Sequence, residues 1–153
     1  MKKAIIVFES KYGNTKRLAE LIIEGIEQTG DIECALKSIS DIHTTDLCNY
    51  DVILFGCPNH GQAPSRGIMT FIERAGIVGL DKQVGAAFDT YTGGNKGVAL
   101  KQLEKKIRDA LPGVQLITEG LSAKVSARTG PLSEDELSRA HEFGVQISKK
   151  IQE

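Results

Sequence analysis

The residues from 10 to 15 are of the types that bind a phosphate group. The segment Ser10-Lys11-Tyr12-Gly13-Asn14-Thr15 supplies hydroxyl groups, a side-chain amide and a glycine. It separates an apolar run from an amphipathic one, so it forms the turn between a strand and a helix. The first N–H groups of a helix lack partners within it, and the helix dipole adds partial positive charge there. The segment therefore predicts an anion site, although the same residue types also cap ordinary helices.

Two further glycine-containing loops follow apolar runs in the same way. Residues 56–64 read GCPNHGQAP and residues 89–97 read DTYTGGNKG. Proline and glycine give such loops a defined shape. Because ligands of open α/β sheets bind beyond the carboxyl ends of the strands, we expect the three loops to converge on one crevice.

The elements that must hold these loops alternate between strands and helices. Apolar runs predict strands at 4–8, 32–39, 52–55 and 84–88 and a last strand within 114–125, with 32–39 at an edge. Helical spacing predicts helices at 18–26, 68–75, 100–111 and 137–151, and one helical turn around Leu47. Ser65 is expected to cap the second helix, and Ser133 and Glu136 form a capping-box pattern before the fourth. The chain is therefore expected to be one α/β domain over residues 1–153, with a doubly wound five-stranded parallel sheet.

Composition excludes several classes of function. The chain has 153 residues, 41% hydrophobic and 25% charged, with a formal net charge of −1, so neither nucleic acid nor an anionic membrane is an expected partner. The first apolar run is too short for a signal peptide or a membrane span, which predicts a cytoplasmic protein. Cys34, Cys48 and Cys57 lack a paired spacing and are expected to be buried free thiols. The scattered histidines predict no metal site.

The order of elements, the chain length and the three loops resemble those of the short-chain flavodoxins over essentially the whole chain. The resemblance implies strand order 2-1-3-4-5, helices on both faces and FMN as the cofactor. Residues 10–15 resemble the phosphate loop of that family, with Tyr12 in place of a small hydroxyl residue. The resemblance implies that Ser10, Tyr12, Asn14 and Thr15 hold the phosphate of FMN, with Lys11 and Gly13 beside them.

The other two loops resemble those beside the flavin ring. In the second loop the resemblance places Pro58, Asn59, His60 and Gly61 at the ring. His60 would cover the inner face, unless it is a solvated loop residue, and the His60-Gly61 peptide would turn its carbonyl toward flavin N5 on reduction. In the third loop Tyr91 would stack on the outer face or form a wall of the crevice, since the chain has no tryptophan. The remaining cofactor-binding residues implied are Asp89, Thr90 and Gly94.

Three functions remain open at this stage. The first is a one-electron carrier of low potential between redox protein partners, with no catalytic residue of its own and a monomeric or weakly dimeric state. The second is an FMN-dependent NAD(P)H:quinone-type reductase, suggested by the weak net charge and by an outer flavin face with little aromatic cover. Such relatives commonly carry an extra segment in this region, and residues 93–101 leave no room for it. The third is a flavin-free module that binds a phosphate or a nucleotide.

Overall fold

A parallel sheet with helices on both faces makes up the computed structural model, which describes residues 1–152. The strands are β1 (Lys2–Phe8), β2 (Ile32–Ser38), β3 (Val52–Pro58), β4 (Val84–Tyr91), β5 (Gln115–Leu116) and β6 (Leu121–Lys124). The helices are α1 (Asn14–Glu27), α2 (Arg66–Ala75), α3 (Val98–Ala110) and α4 (Glu134–Gln152), and a 3₁₀ helix spans Thr44–Asn49.

The strand order is β2-β1-β3-β4-β5, with every pair parallel, and β6 pairs with β4 beyond the end of β5. The predicted α/β fold with order 2-1-3-4-5 is therefore confirmed. The last strand is divided because the chain leaves the ladder after Ile117, whose N–H still donates to the carbonyl of Gly85, and residues 118–120 make no ladder bond in the described chain. At the end of this segment Gly120 passes so close to β4 that a Cβ there would lie 2.5 Å from the carbonyl oxygen of Ala87.

Two apolar cores lie on opposite faces of the sheet. In β1, Ala4 and Ile6 belong to the core under α1 and α4, whereas Ile5 and Val7 belong to the core under α2 and α3. All four side chains are fully buried. This double burial explains why the strand is a continuous apolar run without a polar face.

Strands β3 and β4 extend beyond their apolar runs. The ladder continues through Cys57 opposite Asp89 and Pro58 opposite Thr90. Asp89 and Thr90, predicted in a loop, are therefore strand residues. Polar residues are accommodated there because their backbone groups keep the ladder hydrogen bonds and their side chains find partners at the strand ends.

The predicted helix starts are correct in position, but other groups cap them. Ser65 precedes α2, yet its buried hydroxyl does not accept a hydrogen bond from the first turn of that helix. The carboxylate of Glu9 accepts the N–H of Ile68 at 2.9 Å instead. Before α4, the predicted capping-box residue Glu136 accepts the N–H of Lys124 from β6. Tertiary contacts thus replace the local caps that the sequence pattern predicted.

The three cysteines are free thiols, but the prediction that all are buried is wrong. Only Cys57 is buried, while Cys34 is half-buried on the edge strand and Cys48 is exposed in the 3₁₀ helix. Within residues 1–152, no three His, Cys, Asp or Glu side chains cluster closely enough to hold a metal ion. In the same range no helix combines the length and the apolar character that crossing a membrane requires.

Candidate functional site

A cavity of about 600 Å³ opens at the carboxyl ends of β1, β3 and β4. It lies where the strand order reverses, since β1 is followed in the chain by its neighbour on one side and then by β3 on the other. This is the usual ligand position in an open α/β sheet. The three predicted loops meet here, joined by a fourth segment after β6.

Most of the predicted site residues line this cavity. They are Ser10, Lys11, Tyr12, Asn14, Thr15, Pro58, Asn59, His60, Gly61, Thr90 and Tyr91. Gly13, Asp89 and Gly94 are not on its lining. Gln62, Thr92 and Asn95 also line the cavity and lie in the predicted loops, although the sequence did not single them out, whereas Val125 and Arg128 lie outside those loops.

The first loop presents unpaired N–H groups at the start of α1. Gly13 has a φ of 90°, a left-handed conformation that favours glycine, and it bends the chain into the helix. The hydroxyl of Ser10 accepts the N–H groups of Gly13 at 3.1 Å and Lys16 at 3.4 Å, so its own hydrogen is free to donate. Among residues 10–15, five N–H groups donate to no acceptor in the described chain, those of Ser10, Lys11, Tyr12, Asn14 and Thr15.

Thr90 fixes the three loops relative to one another. Its hydroxyl lies 3.0 Å from that of Thr15, and both residues are buried. Its carbonyl accepts the N–H of Asn59 at 2.9 Å. One of the two threonine hydroxyls donates to the other, which leaves the second hydrogen available to an acceptor in the cavity.

One residue of the cavity lining carries an unpaired amide group. The side-chain Nδ2 of Asn59 is buried and has no hydrogen-bond partner among residues 1–152. Buried donors in folded proteins are nearly always paired, so this one is suited to an acceptor on a bound molecule. Together with the unpaired N–H groups of the first loop, it makes the cavity compatible with an anionic, heteroatom-rich cofactor such as FMN.

The tip of the second loop is a tight hairpin. His60 and Ala63 exchange hydrogen bonds of 2.7 and 3.2 Å, and Gly61 and Gln62 between them have φ values of 59° and 65°. These are the features of a type I′ turn. The carbonyl of Gln62 accepts Nε2 of Gln102 at 2.7 Å. The carbonyl of His60 accepts the N–H of Ala63. At this tip, the Gly61 carbonyl accepts no hydrogen bond from the described chain.

Asp89, predicted at the cofactor, lies inside the protein. Its carboxylate accepts the hydroxyl of Ser122 and the N–H of Leu100 at 2.9 Å, in the first turn of α3. Burial raises the pKa of Asp89 to about 6, and the hydrogen bonds from Ser122 and Leu100 oppose that rise. The side chain therefore caps a helix and does not face the cavity.

The two aromatic residues of the lining differ in exposure. Tyr91, at the end of β4, is buried and forms part of the cavity wall. Burial also raises the pKa of its phenol. Tyr12 is 44% exposed, and the ammonium group of Lys11 lies 5.3 Å from its ring centre. The burial of Tyr91 favours a role as a wall of the cavity over a role in stacking on the outer face of the flavin.

The segment after β6 closes the cavity beside the first loop. An N–H of Gly130 bonds the carbonyl of Ala127, and this turn carries Arg128 to the cavity. The side chain of Asn14 packs on Gly130, where a Cβ would lie 2.5 Å from its Oδ1. The only sequence signal was the Gly130-Pro131 pair after the last strand.

The fold and this site define a class, the doubly wound α/β domains with a cavity at the switch point of the sheet. The family model described as flavodoxin matches residues 6–137. The chain belongs to the flavodoxin family, whose members bind FMN and carry electrons.

Several relatives are similar over the whole chain or part of it. A flavodoxin of Clostridium saccharobutylicum is 26% identical over 99% of this chain and 98% of its own length. A flavodoxin of Maridesulfovibrio salexigens is 41% identical over 40% of this chain and 42% of its own. The solved structure of a flavodoxin from the domain Archaea covers 99% of both chains with a TM-score of 0.83 and 24% identity, which shows the same fold.

Proposed function

We propose that this protein carries single electrons at low potential between two redox protein partners, using FMN bound in the cavity at the carboxyl ends of β1, β3 and β4. The observation that carries the proposal is the set of unpaired N–H groups at residues 10, 11, 12, 14 and 15, all of which line the cavity at a helix start. Such groups bind phosphate without a cationic side chain.

The first loop would bind the phosphate through backbone and hydroxyl donors. The hydroxyl hydrogens of Ser10 and of the Thr15–Thr90 pair are available for this purpose. Asn59 would donate its unpaired amide to a ligand acceptor. When bound, FMN supplies reversible one-electron chemistry, and the share of the protein is orientation and electrostatic tuning.

One peptide group at the hairpin tip would change its orientation when the flavin ring is reduced. Rotating the His60-Gly61 peptide, the candidate suggested by the sequence, would break the bond between the His60 carbonyl and Ala63. Rotating the Gly61-Gln62 peptide breaks no hydrogen bond, and it returns Gln62 from a φ of 65° to the negative φ that side chains prefer. The Gly61 carbonyl is therefore the better candidate to accept a hydrogen bond from a protonated atom of the bound ligand.

A reductive titration followed by visible absorption and potentiometry tests the proposal. We expect FMN-loaded protein to accept electrons in two resolved one-electron steps. A separation of the two midpoint potentials by about 59 mV corresponds to a tenfold preference for the one-electron-reduced protein. A single two-electron step would contradict the one-electron role.

A steady-state assay separates the carrier from a quinone reductase. The loaded protein is mixed with NAD(P)H and a soluble quinone, with and without an added flavoprotein reductase. A carrier is reduced only when the reductase is present. Rapid oxidation of NAD(P)H without it would contradict the proposal.

A further inference from the structure

We propose that Gln102 is a positioning residue, which holds the hairpin tip of the second loop in place and thereby raises the midpoint potential of the first electron. Its side chain belongs to α3 and lies outside the three loops that the sequence singled out. This inference rests on the proposed function, because it concerns how the hairpin tip meets bound FMN. The hydrogen bond from Gln102 to Gln62, which we call the tether, carries it.

The side-chain amide of Gln102 is held by two main-chain carbonyls. Its Nε2 lies 2.7 Å from the carbonyl oxygen of Gln62 and 3.2 Å from that of Val98, one turn earlier in α3. An amide nitrogen carries two hydrogens, so it can donate one to each acceptor. The bond to Val98 fixes the direction of the side chain, and the tether extends from it to the hairpin tip.

The tether leaves one peptide of the hairpin tip free to turn. His60 and Ala63 are bonded to each other through both of their carbonyls, and the carbonyl of Gln62 accepts the tether. The Gly61-Gln62 peptide makes no hydrogen bond within residues 1–152. Because the carbonyl of Gln62 belongs to the next peptide, the Gly61-Gln62 peptide can rotate while the tether stays in place.

The start of α3 is itself fixed to the sheet, so Gln102 has a rigid support. The carboxylate of Asp89, fully buried in β4, accepts the N–H of Leu100 at 2.9 Å. The hydroxyl of Ser122 in β6 accepts the N–H of Gly97 at 2.9 Å and donates to Asp89. The first turn of α3 is therefore joined to two strands, and Gln102 lies in the next turn.

The tether orders the hairpin tip before the cofactor is reduced. Without it, the tip would lose conformational freedom each time the Gly61 carbonyl bonds a protonated atom of the ligand, and this ordering opposes the contact. Gln62 and Gln102 are exposed, so water competes for the groups of the tether. We therefore expect the tether to favour the one-electron-reduced protein about threefold, within the range for one neutral hydrogen bond.

Gln102→Met tests the tether, since it removes both donors and keeps an unbranched side chain of similar helix propensity. Spectroelectrochemical titration of the FMN-loaded variant measures the two midpoint potentials. We expect the first to fall by about 30 mV, which is a threefold loss at about 59 mV for each factor of ten. The second should hardly change, because the Gly61 carbonyl bonds the ligand both before and after that step.

The affinity for oxidised FMN separates positioning from a structural role. The Gly61 carbonyl contributes no donor to the oxidised ligand, so fluorescence titration should give the same dissociation constant for Gln102→Met and the wild type. A general loosening of the cavity would instead raise this constant and move both potentials. That result would overturn the inference.

Gln115→Met is the matched control. Gln115 is exposed in β5, where it pairs with Val84 at the end of β4 away from the cavity. The control should match the wild type in both potentials. An unchanged or higher first potential in Gln102→Met, or an equal fall in the two variants, would overturn the role of Gln102.

The FMN-free protein gives a second readout that does not depend on the cofactor. Relaxation of ¹⁵N nuclei measures the order parameter of each backbone amide at residues 61–63. In Gln102→Met these values should fall from about 0.85, typical of rigid backbone, toward about 0.6, typical of flexible backbone. In Gln115→Met they should not change. Equal order parameters in wild type and Gln102→Met would overturn the tether, whereas failure of the wild type to bind FMN would refute the proposed function.

Discussion

The hydroxyl oxygens of Thr15 and Thr90 lie 3.0 Å apart, and this contact joins the turn after β1 to the end of β4, although β3 separates the two strands in the sheet. Thr15→Val removes the hydroxyl while keeping the shape of the side chain. We expect the dissociation constant for FMN to rise about tenfold, equivalent to about 1.4 kcal/mol, because one donor to an anionic group is lost.

Fluorescence titration of the FMN-free protein measures this effect. Thr29→Val is the matched control, since Thr29 pairs with the hydroxyl of Ser148 at 3.2 Å, at the opposite end of α1. It should leave the affinity for FMN unchanged. An equal loss of affinity in both variants would show that the effect of Thr15 is only structural.

The raised pKa of Asp89 predicts how stability depends on pH. The folded state binds the proton of Asp89 more tightly than the unfolded state, with a pKa of about 6 against 3.8. The contribution of this group is therefore fully present below pH 3.8 and is lost as the pH rises through 6. At about 1.4 kcal/mol for each pH unit, the loss amounts to about 3 kcal/mol.

Urea unfolding of the wild type and of Asp89→Asn between pH 4.5 and 7.5 tests this dependence. An asparagine can accept the N–H of Leu100 and donate to Ser122, so the variant should fold. The wild type should gain stability relative to the variant as the pH falls. Asp109→Asn, which alters a fully exposed carboxylate, should track the wild type. If the difference in free energy of unfolding between wild type and Asp89→Asn did not change with pH, the raised pKa of Asp89 would be contradicted.

The hairpin tip predicts a redox effect of Gly61→Ala. A side chain at Gly61 tolerates the present φ of 59° at a cost of about 1 kcal/mol, but rotation of the following peptide would move it into a region that only glycine adopts. We expect the first one-electron midpoint potential to fall by about 60 mV, the equivalent of one hydrogen bond.

Gln62→Gly is the control for that variant. It permits both orientations of the Gly61-Gln62 peptide, so the potential should change much less than in Gly61→Ala. Spectroelectrochemical titration of the loaded variants measures both values. Identical first potentials in wild type and Gly61→Ala would rule out a part for this peptide.

The close crossing of α1 and α4 predicts a large stability effect at Gly144. A Cβ at Gly144 would lie 2.1 Å from the carbonyl oxygen of Ile22, and one at Gly25 would lie 2.1 Å from that of His141. Gly144→Ala must separate the helices, which we expect to lower the free energy of unfolding by about 2 kcal/mol. Gly94→Ala, with no atom within 4 Å of the added Cβ, should be nearly neutral in urea unfolding. Equal stability of the two variants would contradict the packing described here.

The fold could be predicted because each buried strand is a short apolar run and each helix has one apolar face. The position of residues 10–15 at the cavity could be predicted because these residues are contiguous. Asp89 was assigned to the cofactor because the apolar run ends at Phe88, whereas β4 continues to Tyr91 and directs Asp89 beneath α3. Arg128 was missed because its approach to the first loop depends on tertiary packing of Asn14 on Gly130. The direction of a single side chain at a strand end is set by the ladder, which composition does not reveal.

If residues 10–15 hold the phosphate of FMN, the protein must distinguish FMN from riboflavin, which lacks that phosphate. Both are titrated into FMN-free protein at constant pH and salt, and flavin fluorescence is followed. We expect stoichiometric binding of FMN at micromolar concentration and an affinity for riboflavin about 100-fold weaker, since several charge-assisted hydrogen bonds are lost. Equal affinity for the two flavins, or no uptake of FMN at micromolar concentration, would contradict it.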